Sequence, residues 1–380
     1  MADITHWLWY TLAARFNPRL MQDLYKKAGD IDKIYGFYEK ELREIGITDE
    51  RFIDAICNKD LGAAKRELMY CEAYGINLIT VKDKNYPYLL SQIYDPPLVL
   101  YVRGTHFDPE REVYVAVVGT RNATRYGLDM ARVISRDLAA AGITVVSGMA
   151  RGIDSAAHIG CMQAGGNTIA VLGGGVNVAY PKENRDLMVQ IMNSGCVVSE
   201  YGLEYEFRKD AFPRRNRIMC GLCSGVVVVE APPSSGAIIS AHIALDEGRD
   251  LFAVPGNIGH ASSEGANALL KNCAKMVTSA EDIIEEYAHL YPHCINYKKY
   301  TAYNAEFEMA RSLQSTKLTE DILSLIELRP LSAQQIAEHC GFSVARINGL
   351  LTVLMKLNMV AMYGSNMYIK TNILKENKGL

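Results

Sequence analysis

VYVAVVGTRNATRYG, residues 113–127, decides the fold. Six apolar residues in a row suit a strand buried on both faces, and Gly119 ends it. An Ala-rich helix, read here over 127–141, follows directly. The unit then repeats. ITVVS (143–147) leads into GMARGID, NTIAVLGGG (167–175) ends in glycines, and CVVSE (196–200), GVVVVEA (225–231) and DLFAVPG (250–256) are further apolar runs separated by helix-length segments. Apolar strands alternating with helices imply a mostly parallel sheet covered on both faces, an extended Rossmann-like, doubly wound α/β domain over residues 113–287.

Outward from it, residues 66–112 read as a connector with short strands, INLITV (76–81) and PPLVLYVRG (96–104). Residues 1–65 read as short helices broken at Gly29, Gly36 and Gly46, and GDIDKIYGFYEKELREIGIT (29–48) resembles a SAM or helix-hairpin-helix unit. Such a unit serves DNA or protein contact, and Glu39, Glu41 and Glu44 do not favour phosphate. The polar, tyrosine-rich stretch 288–316 reads as a linker. Residues 317–380 read as three helices and a hairpin turning at Gly364–Ser365–Asn366, a winged-helix pattern. Ser332 and Gln335 have capping-box spacing there. Its third helix offers only Arg346, Lys356 and Asn348 to a DNA groove, so a protein-contact role is equally open.

The 380 residues are 49% hydrophobic and 22% charged, with net charge −3, so nucleic-acid binding requires a local basic patch. No apolar run approaches a membrane span, and the N-terminus lacks the pattern of a signal peptide. Nine cysteines, an odd number, argue against a complete disulfide framework and suit a reducing cytosol. Cys220 and Cys223 are the one close pair, and they read as buried thiols. His242 and His260 lack a third ligand at metal spacing. No cofactor or metal is expected.

Ligands of open α/β sheets sit beyond the carboxyl ends of the strands, and four Gly-rich turns fall there: 119–121, 147–152, 173–175 and 234–236. Glycines allow close backbone approach, and helix N-termini attract anions. The same glycines also serve simple tight turns. GTRNATRYG lacks G-x-G-x-x-G and instead carries Arg121 and Arg125, suited to phosphate, so NAD is not expected. The densest basic stretch, FRKDAFPRRNR (207–217), sets five cations and two phenylalanines around one acid. Cations neutralise phosphates and aromatic faces stack on unpaired bases, which suits single strands. Asp154 and His158, four apart on a helix, read as a buried pair rather than catalytic groups, since no nucleophile accompanies them.

Together VAVVGTRNATRYG, VVSGMARGIDSAAHIG, TIAVLGGGVNVAYPKEN, VVSEYG, FPRRNRIMCGLCSGVVVVEA, SGAIISAHIALDEGRDLFAVPG and GANALLKNCAKMV, in order over about residues 113–278, resemble the DNA-processing protein A (DprA/Smf) family. The resemblance implies a non-enzymatic, cytoplasmic homodimer. It would bind and protect incoming single-stranded DNA in natural transformation and load RecA for recombination. Family DNA-pocket positions fall on Gly119, Arg121, Ser147, Gly148, Gly152, Lys209, Phe212, Arg215, Asn216, Arg217, Ser235 and Gly236. Arg214 sits at a variable position and is not carried over. Thr120 stands for a usual Ser, Ala237 and Ser240 for Ser and Thr, and Cys273 for Gly. The family dimerises through the C-terminal part of this domain, where Leu269, Leu270 and Met276 are candidates. Two other function classes remain: a LOG-like nucleotide phosphoribohydrolase and a nucleotide-sensing Rossmann protein. Against the first, Ser240 occupies the position of the catalytic Glu in PGGxGTxxE, and a hydroxyl lacks a carboxylate's strength as a base.

Overall fold

A computed structural model describes residues 3–15, 17–205, 207–208, 211–304, 317–356, 359–364 and 366–371. The chain forms two compact units, Met1–Asn296 and Tyr297–Leu380.

The first unit is organised by nine strands: β1 (Ile76–Thr80), β2 (Val99–Gly104), β3 (Tyr114–Val118), β4 (Thr144–Ser147), β5 (Thr168–Val171), β6 (Cys196–Ser199), β7 (Gly225–Val228), β8 (Asp250–Ala253) and β9 (Lys275–Met276). Their order is β1-β2-β6-β5-β4-β3-β7-β8-β9. From β6 to β9 every pairing is parallel, while β2 runs antiparallel to β6 and β1 antiparallel to β2. The sheet is thus a doubly wound α/β sheet with an antiparallel edge. Every residue of β3 is buried, as an apolar run covered on both sides requires. Tyr114, Ala116 and Val118 join a core with Ile218, Ala237 and Ala241 of the helices Ala211–Leu222 and Gly236–Asp246. Val115 and Val117, between them, point the other way.

The boundaries expected at 65/66 and 112/113 do not separate compact bodies. INLIT and VLYVRG extend the main sheet at one side, β1 as its edge and β2 paired with both β1 and β6, and Val99–Val102 are buried. Six helices between Ile4 and Ala73 precede them. Asp3, Asn17, Asp30 and Asp49 cap four of these helices with their side chains, and Gly29, at φ 71°, closes the Pro18–Ala28 helix. Trp7, Leu8, Leu24, Ile34 and Phe52 from these helices share one core with Leu98, Val99, Ala170 and Val197 of the sheet side.

In the second unit, residues 297–304, expected as linker, are helical, and 305–316 lie outside the described residues. Helices Lys317–Leu328, Ala333–Cys340 and Val344–Lys356 join β10 (Leu331–Ser332), β11 (Val360–Tyr363) and β12 (Met367–Lys370), in antiparallel order β10-β12-β11. The Ser332 hydroxyl accepts from Gln335 N at 3.3 Å, and Gln335 Oε1 accepts from Ser332 N at 2.9 Å, closing the expected capping box. Ile322, Ile326, Ile336, Ile347, Leu351 and Val360 form its own core.

Candidate nucleic-acid interface

The order of winding reverses between β4 and β7, on either side of β3. In open α/β sheets the ligand crevice forms beyond the carboxyl ends of the strands at such a point. Its floor is tied by Glu230, directly after β7. The Glu230 carbonyl accepts from Thr120 N at 2.7 Å, and its carboxylate accepts from the backbone and hydroxyl of Thr124 at 2.8 and 3.1 Å. Thr124 also caps the Arg125–Ala140 helix. A buried carboxylate thereby fixes the loop that carries Arg121.

The glycines around this loop close the structure more than they open it. Gly152, at φ 74°, would set a Cβ 2.4 Å from the Thr120 carbonyl oxygen. The first and second loops meet backbone to backbone there, and the Thr120 carbonyl accepts from Ile153 N at 3.3 Å. At Gly119 a Cβ would lie 2.4 Å from Ile153. Ser147 is buried, and its hydroxyl donates to the Val117 carbonyl at 2.7 Å, tying β4 to β3.

The basic stretch divides sharply. Arg215 is only 5% exposed. Its guanidinium lies against Gly148, where a Cβ would come within 2.1 Å of Nη1, and Nη1 donates to the Val171 carbonyl. Asp154 is its counter-charge. Burial pushes the Asp154 carboxyl up and draws Arg215 down, and each charge offsets the other's shift. His158 does not pair with Asp154, because its Nδ1 meets the Thr168 hydroxyl at 2.7 Å. Its Nε2 is buried without a partner. Burial, and then Arg215, lower its pKa to about 3. Arg217 donates to the Asp95 carbonyl at 2.6 Å and to the Glu200 carboxylate, so it links the segment between β1 and β2 to the end of β6. Asn216 is buried on the same helix. All three are expected to face DNA; Arg215 and Asn216 are buried and Arg217 is half-buried, and carbonyls or carboxylates from distant segments meet the two arginines. Lys209 lies outside the described residues.

Arg121 and Phe212 form the open part. Arg121 is exposed, and its guanidinium carbon lies 5.4 Å from the centre of the half-buried Phe212 ring. Phe212 contacts Tyr180 at 5.2 Å between ring centres, and Tyr180 stacks on Phe207 at 4.9 Å and 22°. The rings rest on the turn after β5: a Cβ at Gly174 would lie 2.7 Å from Phe207, and one at Gly173 would lie 3.3 Å from Phe212. Residue-by-residue reading missed Tyr180 and Glu230, and quoted Phe207 only within the basic stretch. A carboxylate ending the run VVVVE was the one available signal for Glu230. Arg125, exposed, pairs with Asp129 at 2.8 Å. On a separate turn, the Ser235 hydroxyl accepts from Ala237 N at 3.2 Å as a helix cap, and Gly236 is exposed with open space around it. Ser240, the position compared with a catalytic Glu, is buried, and its hydroxyl lies 3.4 Å from the Gly236 carbonyl.

Of the dimer candidates, Leu269 is 6% exposed and belongs to the core, Leu270 is half-buried, and Met276, on edge strand β9, is 55% exposed. Cys220 and Cys223 are buried, and burial pushes the Cys220 thiol up to about 12. Of the nine cysteines, Cys273 is the exposed one. Among the described residues, no group of three or more His, Cys, Asp or Glu is placed to hold a metal, and no helix is long and apolar enough to cross a membrane.

Sheet order and loop chemistry define a doubly wound α/β protein with a candidate site at its topological switch point. A family model described as DNA recombination-mediator protein A matches residues 77–288, and the chain belongs to that family. It is 43% identical over 208 residues to DNA processing protein DprA of Streptococcus pneumoniae, covering 55% of this chain and 73% of that relative. To the Bacillus subtilis DprA it is 40% identical over 212 residues, covering 56% and 71%. The X-ray structure of the S. pneumoniae protein superposes with TM-score 0.67 at 33% identity, over 75% of this chain and 99% of that one. A DNA processing protein A structure from Helicobacter pylori, studied for its single-stranded DNA binding mode, matches with TM-score 0.52 at 28% identity, over 57% and 98%.

Proposed function

We propose that the crevice binds single-stranded DNA without strong sequence preference, and that the protein acts as a binding protein rather than an enzyme. One observation carries this: an exposed guanidinium and a row of aromatic rings share the mouth of a site whose floor is rigid. Phosphate would meet Arg121 and an unpaired base would meet an aromatic face. Lys209, Ser235 and Gly236 complete the proposed contacts, while Gly119, Ser147, Gly148, Gly152, Arg215, Asn216 and Arg217 shape the crevice. Family membership supports the wider role: protection of incoming strands in the cytoplasm during transformation, loading of RecA, and action as a homodimer with Met276 and Leu270 at the contact. Residues 317–380 are read as a winged helix.

Fluorescence anisotropy with labelled oligo-dT across a salt series tests the reading. Single strands should bind more tightly than duplex, with a log–log salt slope of about −0.7 per phosphate neutralised. Equal affinity for both forms, or release of free base from nucleoside monophosphates, would overturn it.

A further inference from the structure

We propose that Tyr180 is a base-stacking platform of its own, extending the bound strand past Phe212 toward the turn at Lys182–Asn184; this rests on the single-strand reading above. Tyr180 is 41% exposed, although it touches two other rings. Phe207 lies nearly parallel to it and fixes its tilt, while Phe212 braces it at 38°. A ring held by neighbours and still exposed has little rotamer freedom left to lose when a base covers it, which favours stacking.

The backbone beyond Tyr180 is equally constrained. Asn184 Nδ2 donates to the Met149 carbonyl at 2.8 Å and to the Ser155 hydroxyl at 3.0 Å, and Glu183 pairs with Arg151. These contacts bind the turn to the loop after β4, one wall of the crevice. Lys182 and Arg185 are exposed on this turn, two and five residues past Tyr180. Arg121, Phe212 and Tyr180 thus touch in series, and the exposed Lys182 and Arg185 follow Tyr180 in the chain. Such a series of cations and rings suits a strand of phosphates and bases.

The test uses the full chain and two ligands, oligo-dT and an oligonucleotide of the same length with abasic sites throughout. Tyr180→Leu keeps apolar bulk against Phe207 and Phe212 but removes the π face. It should weaken oligo-dT binding about tenfold, leave the abasic strand unchanged and keep the salt slope, while Tyr180→Phe should bind as the native protein does. Tyr180→Trp gives a readout that does not depend on the Leu variant folding. Trp7 and Trp9 are buried, so the new indole should dominate any quenching, and oligo-dT should quench it where the abasic strand does not. Equal loss for both ligands, no loss for either, or an unquenched indole would overturn the platform. If native protein binds neither strand, the single-strand reading itself fails; if native protein binds and Tyr180→Leu binds oligo-dT as tightly, this inference alone fails.

Discussion

The loop after β3 and the helix Ala211–Leu222 carry arginines that look alike in the sequence and do opposite things. Arg121 is exposed at the mouth. Arg215 is turned inward onto the Val171 carbonyl, with the charge of buried Asp154 acting on it, and Arg217, half-buried, is turned onto Glu200 and onto the carboxylate and carbonyl of Asp95. The loop keeps its charge available because its own acid, Glu230, takes Thr124 and backbone instead. The helix gives up its charge because buried guanidinium groups require partners. A count of cations therefore overstates what a ligand can meet. The buried set should answer to unfolding and pH, and the open set to salt.

The sharpest break between the two would come from Arg215→Ala. It leaves Asp154 buried without its counter-charge, which should cost about 3–5 kcal/mol in urea unfolding. A loss under about 1 kcal/mol would mean that Arg215 is not the internal partner. Next, Glu230→Ala removes the acceptor of the Thr124 backbone N–H and should cost about 1–3 kcal/mol. Unchanged stability there would show that the loop does not depend on its floor.

His158 gives the pH arm. Its pKa is about 3 in the fold against 6.5 for the free side chain. The unfolded chain therefore takes up this proton first as pH falls. Stability that is present above pH 6.5 is lost toward pH 3, at up to about 1.4 kcal/mol per pH unit. Asp154 contributes with the opposite sign, because a raised carboxyl pKa supplies stability that fades as pH rises through it. Urea midpoints between pH 7 and 5.5 should fall on acidification, and His158→Gln should flatten that trend. An identical slope in the variant would remove His158 as the cause.

Arg121→Ala should have the smallest effect on the fold, below about 0.5 kcal/mol, because its side chain is exposed. It should nonetheless reduce the oligo-dT salt slope by about 0.7. A large loss of stability with an unchanged slope would reverse the assignment of the two arginine sets.

The parallel sheet was legible because short apolar runs alternate with helix-length segments, a local signal. β1 and β2 were not placed in it, since only burial against the sheet distinguishes an edge strand from a connector. Arg121 and Phe212 were legible from residue type. The inward turn of Arg217 was not, because its partners stand 17 and 122 residues away in the chain. Tyr180 was missed for the same reason: its value lies in touching Phe207 and Phe212, and its own neighbours in the sequence, Ala179 and Pro181, carry no hint of a ring cluster.

Cys273 offers a practical handle. The thiols of Cys220 and Cys223 stay protonated at neutral pH and lie out of reach of reagents, whereas Cys273 stands in solvent at the end of the Ala261–Asn272 helix, two residues before β9. A maleimide dye on the unmodified chain should therefore report preferentially from that sheet edge. Self-quenching between dyes on two copies would then follow assembly without any engineered residue.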